Sequence, residues 1–200
     1  MSTAIIGFGK IGQALAHAFA RKNIDVTVAS RRPPEALSAQ AQAIGPGVVA
    51  KSLQEALAAD TIILAVPFAE HREVAKALPD WKGKTVIDAM NSFPALPEEL
   101  DGLPSSAFVA KSFPGASFVK GFNHLIAAKL ATDPVVEGGH RVVFLASDDA
   151  DAIAPVEALA KQLGFAPVKL GKLAEGGALV HARGRSWGPL IFQDMFKKEQ

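Results

Sequence analysis

Apolar residues along this chain gather into short continuous runs that alternate with amphipathic stretches. The first run, Ala4-Ile5-Ile6, is apolar at consecutive positions, which suits a strand covered on both faces. Ile11, Leu15, Ala18 and Phe19 follow at offsets of four, seven and eight from the first, one face of a helix. Asp25-Val26-Thr27-Val28-Ala29 predicts a second strand. The alternation continues with a helix over 36–44, stopped by Gly45-Pro46-Gly47, and a short strand over 48–51. Ser52 starts a helix over 53–58, with Glu55 placed to complete a capping box. Thr61-Ile62-Ile63-Leu64-Ala65-Val66 is apolar and β-rich throughout, as a central parallel strand would be. A helix over 68–78, a strand over 84–88, a helix over 106–113 and a strand over 118–120 come next. The pattern closes with a strand over 141–146, a helix over 150–163 with Ile153, Val156, Leu159 and Leu163 inward, and a strand over 166–170.

Strand and helix in alternation predict an α/β fold: a Rossmann-type doubly wound parallel sheet with right-handed crossovers. The sheet domain is expected to occupy residues 1–170, with a small C-terminal extension over 171–200. That extension is apolar and glycine-rich. It is expected to cover a second substrate or to form a dimer contact, against the simpler outcome of docking on the sheet. No internal repeat or low-complexity segment interrupts the pattern.

Between the first strand and the first helix lies Gly7-Phe8-Gly9-Lys10-Ile11-Gly12. In a dinucleotide site each glycine serves a separate purpose: the tight turn, the close approach of backbone to pyrophosphate, and close packing of helix on strand. The helix N-terminus then meets the phosphates with free N–H groups. A glycine turn that binds nothing is the alternative. The second strand ends in Ser30-Arg31-Arg32, where an NAD site would carry a carboxylate about twenty residues past the glycines. A hydroxyl and two guanidiniums favour a 2′-phosphate, hence NADP(H), over a merely solvated basic turn.

Composition narrows the class. Hydrophobic residues make up 49% of 200, enough for one sizeable core. A net charge of +1 gives no reason to expect nucleic acid or an anionic membrane as partner. Cysteine is absent, which removes disulfides, thiolate nucleophiles and Cys-based metal sites. The first apolar run is a core strand rather than a signal peptide, and no apolar run approaches the roughly eighteen residues of a membrane span. A cytoplasmic enzyme is expected.

In a doubly wound sheet the ligand lies across the carboxyl ends of the strands. Ala65, Val66 and Pro67 offer an apolar wall there, or a plain strand end. Met90 and Asn91 follow the next strand, with Asn91 facing a nicotinamide or serving as a turn residue. His124 is placed to donate a proton or to act as a structural histidine. No side chain is assigned a catalytic role and no metal site is expected. Neither HExxH nor GxSxG occurs.

Four segments, in order, resemble the NADPH-dependent oxidoreductases typified by the NADP:deazaflavin-coenzyme reductases. A related domain forms the cytosolic part of the six-transmembrane metalloreductases. The segments are the glycine motif, Ser30-Arg31-Arg32-Pro33-Pro34-Glu35-Ala36-Leu37, Pro114-Gly115-Ala116-Ser117-Phe118-Val119-Lys120-Gly121-Phe122-Asn123, and Trp187-Gly188-Pro189-Leu190. The third resembles the family's PGA-x-VVKAFN stretch and is the most distinctive. The resemblance implies that Ser30 and Arg31, with Arg32 assisting, bind the 2′-phosphate, and that Lys10 and Ile11 lie by the pyrophosphate. It further implies that backbone around Ala127 meets the nicotinamide carboxamide, and that Asn123 and Leu190 lie near the second ring system. The chain departs from the reductases at Phe8 and at Asn123-His124-Leu125-Ile126. The implied activity is hydride transfer from NADPH to a small-molecule acceptor, a flavin or deazaflavin, by a homodimer. Such chemistry asks the protein mainly for orientation and exclusion of water. A non-catalytic NADP(H)-binding redox-sensing module is the alternative.

Overall fold

A computed structural model describes residues 1–93, 95, 97–182 and 190–198. Of the fourth resembling segment only Leu190 falls within these; Trp187, Gly188 and Pro189 lie outside the described residues. The first half contains β1 (Thr3–Ile6), α1 (Lys10–Arg21), β2 (Val26–Ala29), α2 (Glu35–Ile44), β3 (Val48–Ala50), α3 (Leu53–Ala56), β4 (Thr61–Leu64), α4 (His71–Lys76) and β5 (Thr85–Asp88). The second contains α5 (Ser105–Ala110), β6 (Ser117–Gly121), α6 (Ala127–Leu130), β7 (Val135–Val136), β8 (Gly139–Ala146), α7 (Ala150–Gln162), β9 (Ala166–Lys169), α8 (Gly176–Leu179) and β10 (Phe196–Lys198).

Six strands run in the order β3-β2-β1-β4-β5-β6, every pair parallel. This is the order of a doubly wound dinucleotide-binding sheet. β8 then joins β6 antiparallel, through Lys120 opposite Ala146 and Gly121 opposite Leu145, and β9 runs parallel to β8. The reversal comes from a hairpin between β7 and β8, turned by Glu137 and Gly138 at φ 52 and 74. Two positive φ values in a two-residue loop match the right-handed strand twist.

Alternate residues of each strand supply two cores. Ile5, Val28, Ile63, Ile87 and Val119 face one layer, with Leu15, Ala18 and Phe19 of α1 and Val156 of α7. Ala4, Ile6, Ile62, Leu64, Val86 and Phe118 face the other, with Val74 of α4 and Val109 of α5. Ile11, in the first turn of α1, is only half-buried but packs against the same core. The Ser52–Glu55 capping box forms as expected, with Ser52 accepting from the Glu55 backbone and Glu55 reaching back to the Ser52 N–H. The expected helix over 68–78 is split instead. Pro67 opens a 3-10 turn, Phe68–Glu70, and α4 begins only at His71.

The C-terminal residues dock on β8 and its neighbours. Met195 O accepts from Val142 N at 2.7 Å, and His124 O from Phe192 N at 2.6 Å. Val180 and Ile191 pack with Val142 and Phe144 in a third cluster. Arg141, 4% exposed, holds Asp194 through Nε and Nη2 at 2.5 and 3.2 Å. Among the described residues no helix is long and apolar enough to cross a membrane.

Candidate functional site

The turn after β1 is built from its glycines. Gly7 has φ +103, and a Cβ there would lie 2.4 Å from Ala65 O. A Cβ on Gly12 would lie 1.9 Å from Gly7 O. Gly9 differs, because nothing lies within 4 Å of where its Cβ would stand. That empty space opens onto a cavity. The start of α1 carries no side-chain cap, so its first-turn N–H groups remain available to an anion. Gln13 Nε2 donates to Phe8 O at 3.0 Å and steadies the turn. The Phe8 side chain itself is buried in the core, so the residue presents backbone to the cavity.

This first cavity, about 460 Å³, is lined by Gly7, Phe8, Gly9, Ser30, Arg31, Arg32, Ala65, Val66, Pro67 and Glu70 among others. Ser30 Oγ accepts from Arg32 N at 3.0 Å, which curls the end of β2, and Ser30, Arg31 and Arg32 all line the cavity. Arg31 pairs with Glu70 at 3.0 Å.

A second cavity of about 330 Å³ adjoins it. Lys10, Ile11, Ala65, Val66, Met90, Asn91, Leu125, Ala127, Phe93 and Phe192 are among its walls. Ala65 and Val66 belong to both cavities, so one cleft crosses the carboxyl ends of β1, β4 and β5. Phe93 and Phe192 stack at 6.0 Å between ring centroids, 26° from parallel.

Asn91 and Asn123 meet, but only Asn91 reaches the cleft. Asn91 Nδ2 donates to Asn123 O at 2.9 Å, and Asn123 Nδ2 donates to Asn91 Oδ1 at 3.0 Å and to Val180 O at 2.9 Å. Asn123 is buried behind the wall and ties it to the C-terminal residues. Beneath lies an ion pair that motif reading missed. Lys120 and Asp88, each 1% exposed, stand 3.2 Å apart. Lys120 Nζ also donates to Met90 O, and Asp88 Oδ1 accepts from Met90 N. The pair therefore fixes the turn that carries Met90 and Asn91. Burial pushes the Lys120 ammonium below its ordinary pKa, and Asp88 opposes that shift. Its only advance signal was a lysine inside an otherwise apolar strand.

His124 is placed away from the cleft wall. Its ring is fully buried against Phe144 at 4.8 Å, with neither nitrogen hydrogen-bonded. Burial lowers its pKa to about 4, partly offset by the Asp194 charge. His181 Nδ1 accepts from Ser105 N at 3.1 Å, and burial, then the Lys120 charge, lower its pKa. Among the described residues no cluster of His, Asp or Glu is arranged to hold a metal ion. A larger groove of about 830 Å³ lies along β9 and β10, lined by Glu157, Lys161, Lys197 and others, and touches none of the glycine turn.

The glycine turn, open helix N-terminus and paired arginines can receive a phosphorylated dinucleotide at one end. The second cavity can receive a flat ring at the other. Residues 2–92 match a family model described as NADP oxidoreductase, coenzyme F420-dependent. The metalloreductase STEAP3 of Rattus norvegicus is 30% identical over 173 residues, 85% of this chain and 34% of that protein. The chain thus spans about a third of the length of the metalloreductases it matches. Among solved structures, a hypothetical protein from Sinorhizobium meliloti superposes with a TM-score of 0.91 at 41% identity, over 99% of this chain and 96% of that one. A provisionally assigned F420-dependent NADP reductase from Arthrobacter gives 0.71 at 25% identity, over 86% of each chain.

Proposed function

The chain belongs to the family of NADP-dependent oxidoreductases represented by that family model, and we propose that it carries hydride between NADP(H) and a flavin-like or deazaflavin acceptor. The carrying observation is the single cleft, with a glycine turn and two arginines at one end and an apolar, aromatic-rimmed cavity at the other. In this reading Ser30, Arg31 and Arg32 bind the 2′-phosphate. Backbone at Gly7, Phe8, Gly9, Lys10, Ile11 and Gly12 meets the pyrophosphate. Ala65 and Val66 form the shared wall under the riboses, and Pro67 extends it in the first cavity. Met90, Asn91 and Ala127 border the nicotinamide, and Asn123 positions Asn91 from behind. Bound NADPH supplies the hydride at nicotinamide C4.

The protein's own contribution is geometry. The wall of Ala65 and Val66 excludes water from one face of the cleft, and the Lys120–Asp88 pair beneath Met90 keeps the opposite turn from shifting. Phe93 and Phe192 offer a flat apolar surface suited to a planar acceptor. The docked C-terminal residues bring Phe192 to this rim, which supports a covering role for them. A homodimer acting in the cytoplasm on a small-molecule acceptor completes the proposal. An acceptor screen followed by NADPH absorbance tests it, using flavins, a deazaflavin, a quinone and ferric chelates. Faster NADPH oxidation with a flavin-like compound is expected. Tight NADPH binding without turnover on any acceptor would replace it with a non-catalytic NADP(H)-binding module, and turnover with ferric chelates alone would replace the acceptor.

A further inference from the structure

We propose that Glu70 is a specificity-determining residue at the arginine end of the cleft. It competes with an incoming phosphomonoester for Arg31 and so reduces the preference for a 2′-phosphorylated dinucleotide. The proposal rests on the reading that this end takes NADP(H).

The two partners of the pair are unequal. Glu70 sits on a 3-10 turn whose last N–H bonds back to Pro67 O at 2.8 Å. The next residue, His71, is buried and joined through Nδ1 to Phe68 O at 2.5 Å. The Glu70 side chain is 24% exposed, against 83% for the Arg31 side chain. The anion is therefore set in the cavity wall, and the cation is the more exposed partner that reaches it. The other carboxylate on this wall, Glu73, is already matched by Lys76 at 2.9 Å. Glu70 thus has Arg31 as its counter-charge, and Arg31 is one of the groups a phosphate needs.

A phosphomonoester entering here meets a guanidinium that is already engaged. It must either draw Arg31 off, leaving a partly buried carboxylate beside a new dianion, or share it. A ligand lacking that phosphate leaves the Arg31–Glu70 pair intact and bears no such penalty. The competition therefore acts on the phosphate alone, which is the condition for control of specificity rather than of affinity. An exposed pair of this kind is weak, so the effect is modest: about two- to fivefold in Kd.

Calorimetric titration with adenosine 2′,5′-bisphosphate and with 5′-AMP tests the proposal on wild type, Glu70→Gln, Arg31→Ala and the double variant. Glu70→Gln is expected to tighten the bisphosphate about two- to fivefold and to leave 5′-AMP within about 1.5-fold. The gain is expected to vanish on the Arg31→Ala background, since there is then nothing to release. Glu70→Ala should give the same result as Glu70→Gln. No preference of the wild type for the bisphosphate over 5′-AMP would sink the NADP(H) reading itself. A wild-type preference that Glu70→Gln leaves unchanged overturns the role of Glu70 alone. A gain that persists undiminished without Arg31 also overturns it, because simple repulsion would then account for the effect.

Discussion

Burial of His124 sets its protonation state. An imidazole with no hydrogen bond at either nitrogen, packed on Phe144, is stable there only when neutral. Its pKa of about 4 in the fold stands below the ordinary 6.5. The unfolded chain therefore binds the proton first. Stability is complete above the ordinary value and is lost as the pH falls from there toward 4, by about 3 kcal/mol in all. Urea denaturation from pH 7 to pH 4 should show wild type losing that much more stability than His124→Leu. Equal losses would mean that the ring is hydrated or paired. At this scale the glycine spacing predicted the tight turn at Gly7 and the close packing at Gly12, and both are present. The sequence was silent on Glu70 with Arg31 and on Lys120 with Asp88. Those partners stand on different elements, and only the sheet brings them together.

The unit formed by β1, the glycine turn and α1 separates folding from binding within six residues. Gly12→Ala drives a methyl into Gly7 O, a backbone atom that cannot yield, and is expected to cost at least about 3 kcal/mol of stability. Gly9→Ala meets no protein atom, so its melting temperature should stay near that of wild type. The added methyl instead fills the space proposed for the pyrophosphate, and NADPH affinity should fall at least tenfold, about 1.4 kcal/mol. Thermal melts and NADPH titrations of the two variants check both halves. A Gly9→Ala protein that binds normally would move the pyrophosphate elsewhere. Elements with a continuous apolar run, such as β1 and β4, were readable because burial on both faces leaves a local signature. β7 has two residues and every residue of β10 is exposed, so neither carries a pattern. The direction of β8 depends on a hairpin turned at Glu137 and Gly138, a pair without the usual asparagine or aspartate signal.

Across the whole molecule, the C-terminal residues are secured by one buried cation. Arg141 reaches Asp194 and also donates to Asp133 O and Thr132 Oγ1, beside α6, which carries Ala127 into the second cavity. Lys129 of α6 reaches Asp194 as well, at 3.4 Å. Burial works to raise the Asp194 pKa, but the hydrogen bonds and charge of Arg141, with Lys129, hold it below the ordinary value. Asp194→Asn leaves Arg141 buried without its counter-charge and should destabilise the protein by about 3 kcal/mol. It should also speed protease cleavage near 190–195 and raise the acceptor KM several-fold, with NADPH affinity changed less than twofold, about 0.4 kcal/mol. Limited proteolysis and steady-state kinetics together check this. Equal loss for both substrates would mean that the C-terminal residues support the whole cleft rather than its acceptor end.

The wall shared by the two cavities has a consequence for affinity. Ala65 and Val66 are the ground common to both, so under the proposed function the cleft would act as a bivalent receptor with two subsites a fixed span apart. A dinucleotide joins its two halves covalently, and once one half is seated the other is delivered at millimolar or higher effective concentration. Most of the affinity for the intact molecule then comes from the linkage, and either half alone is readily released.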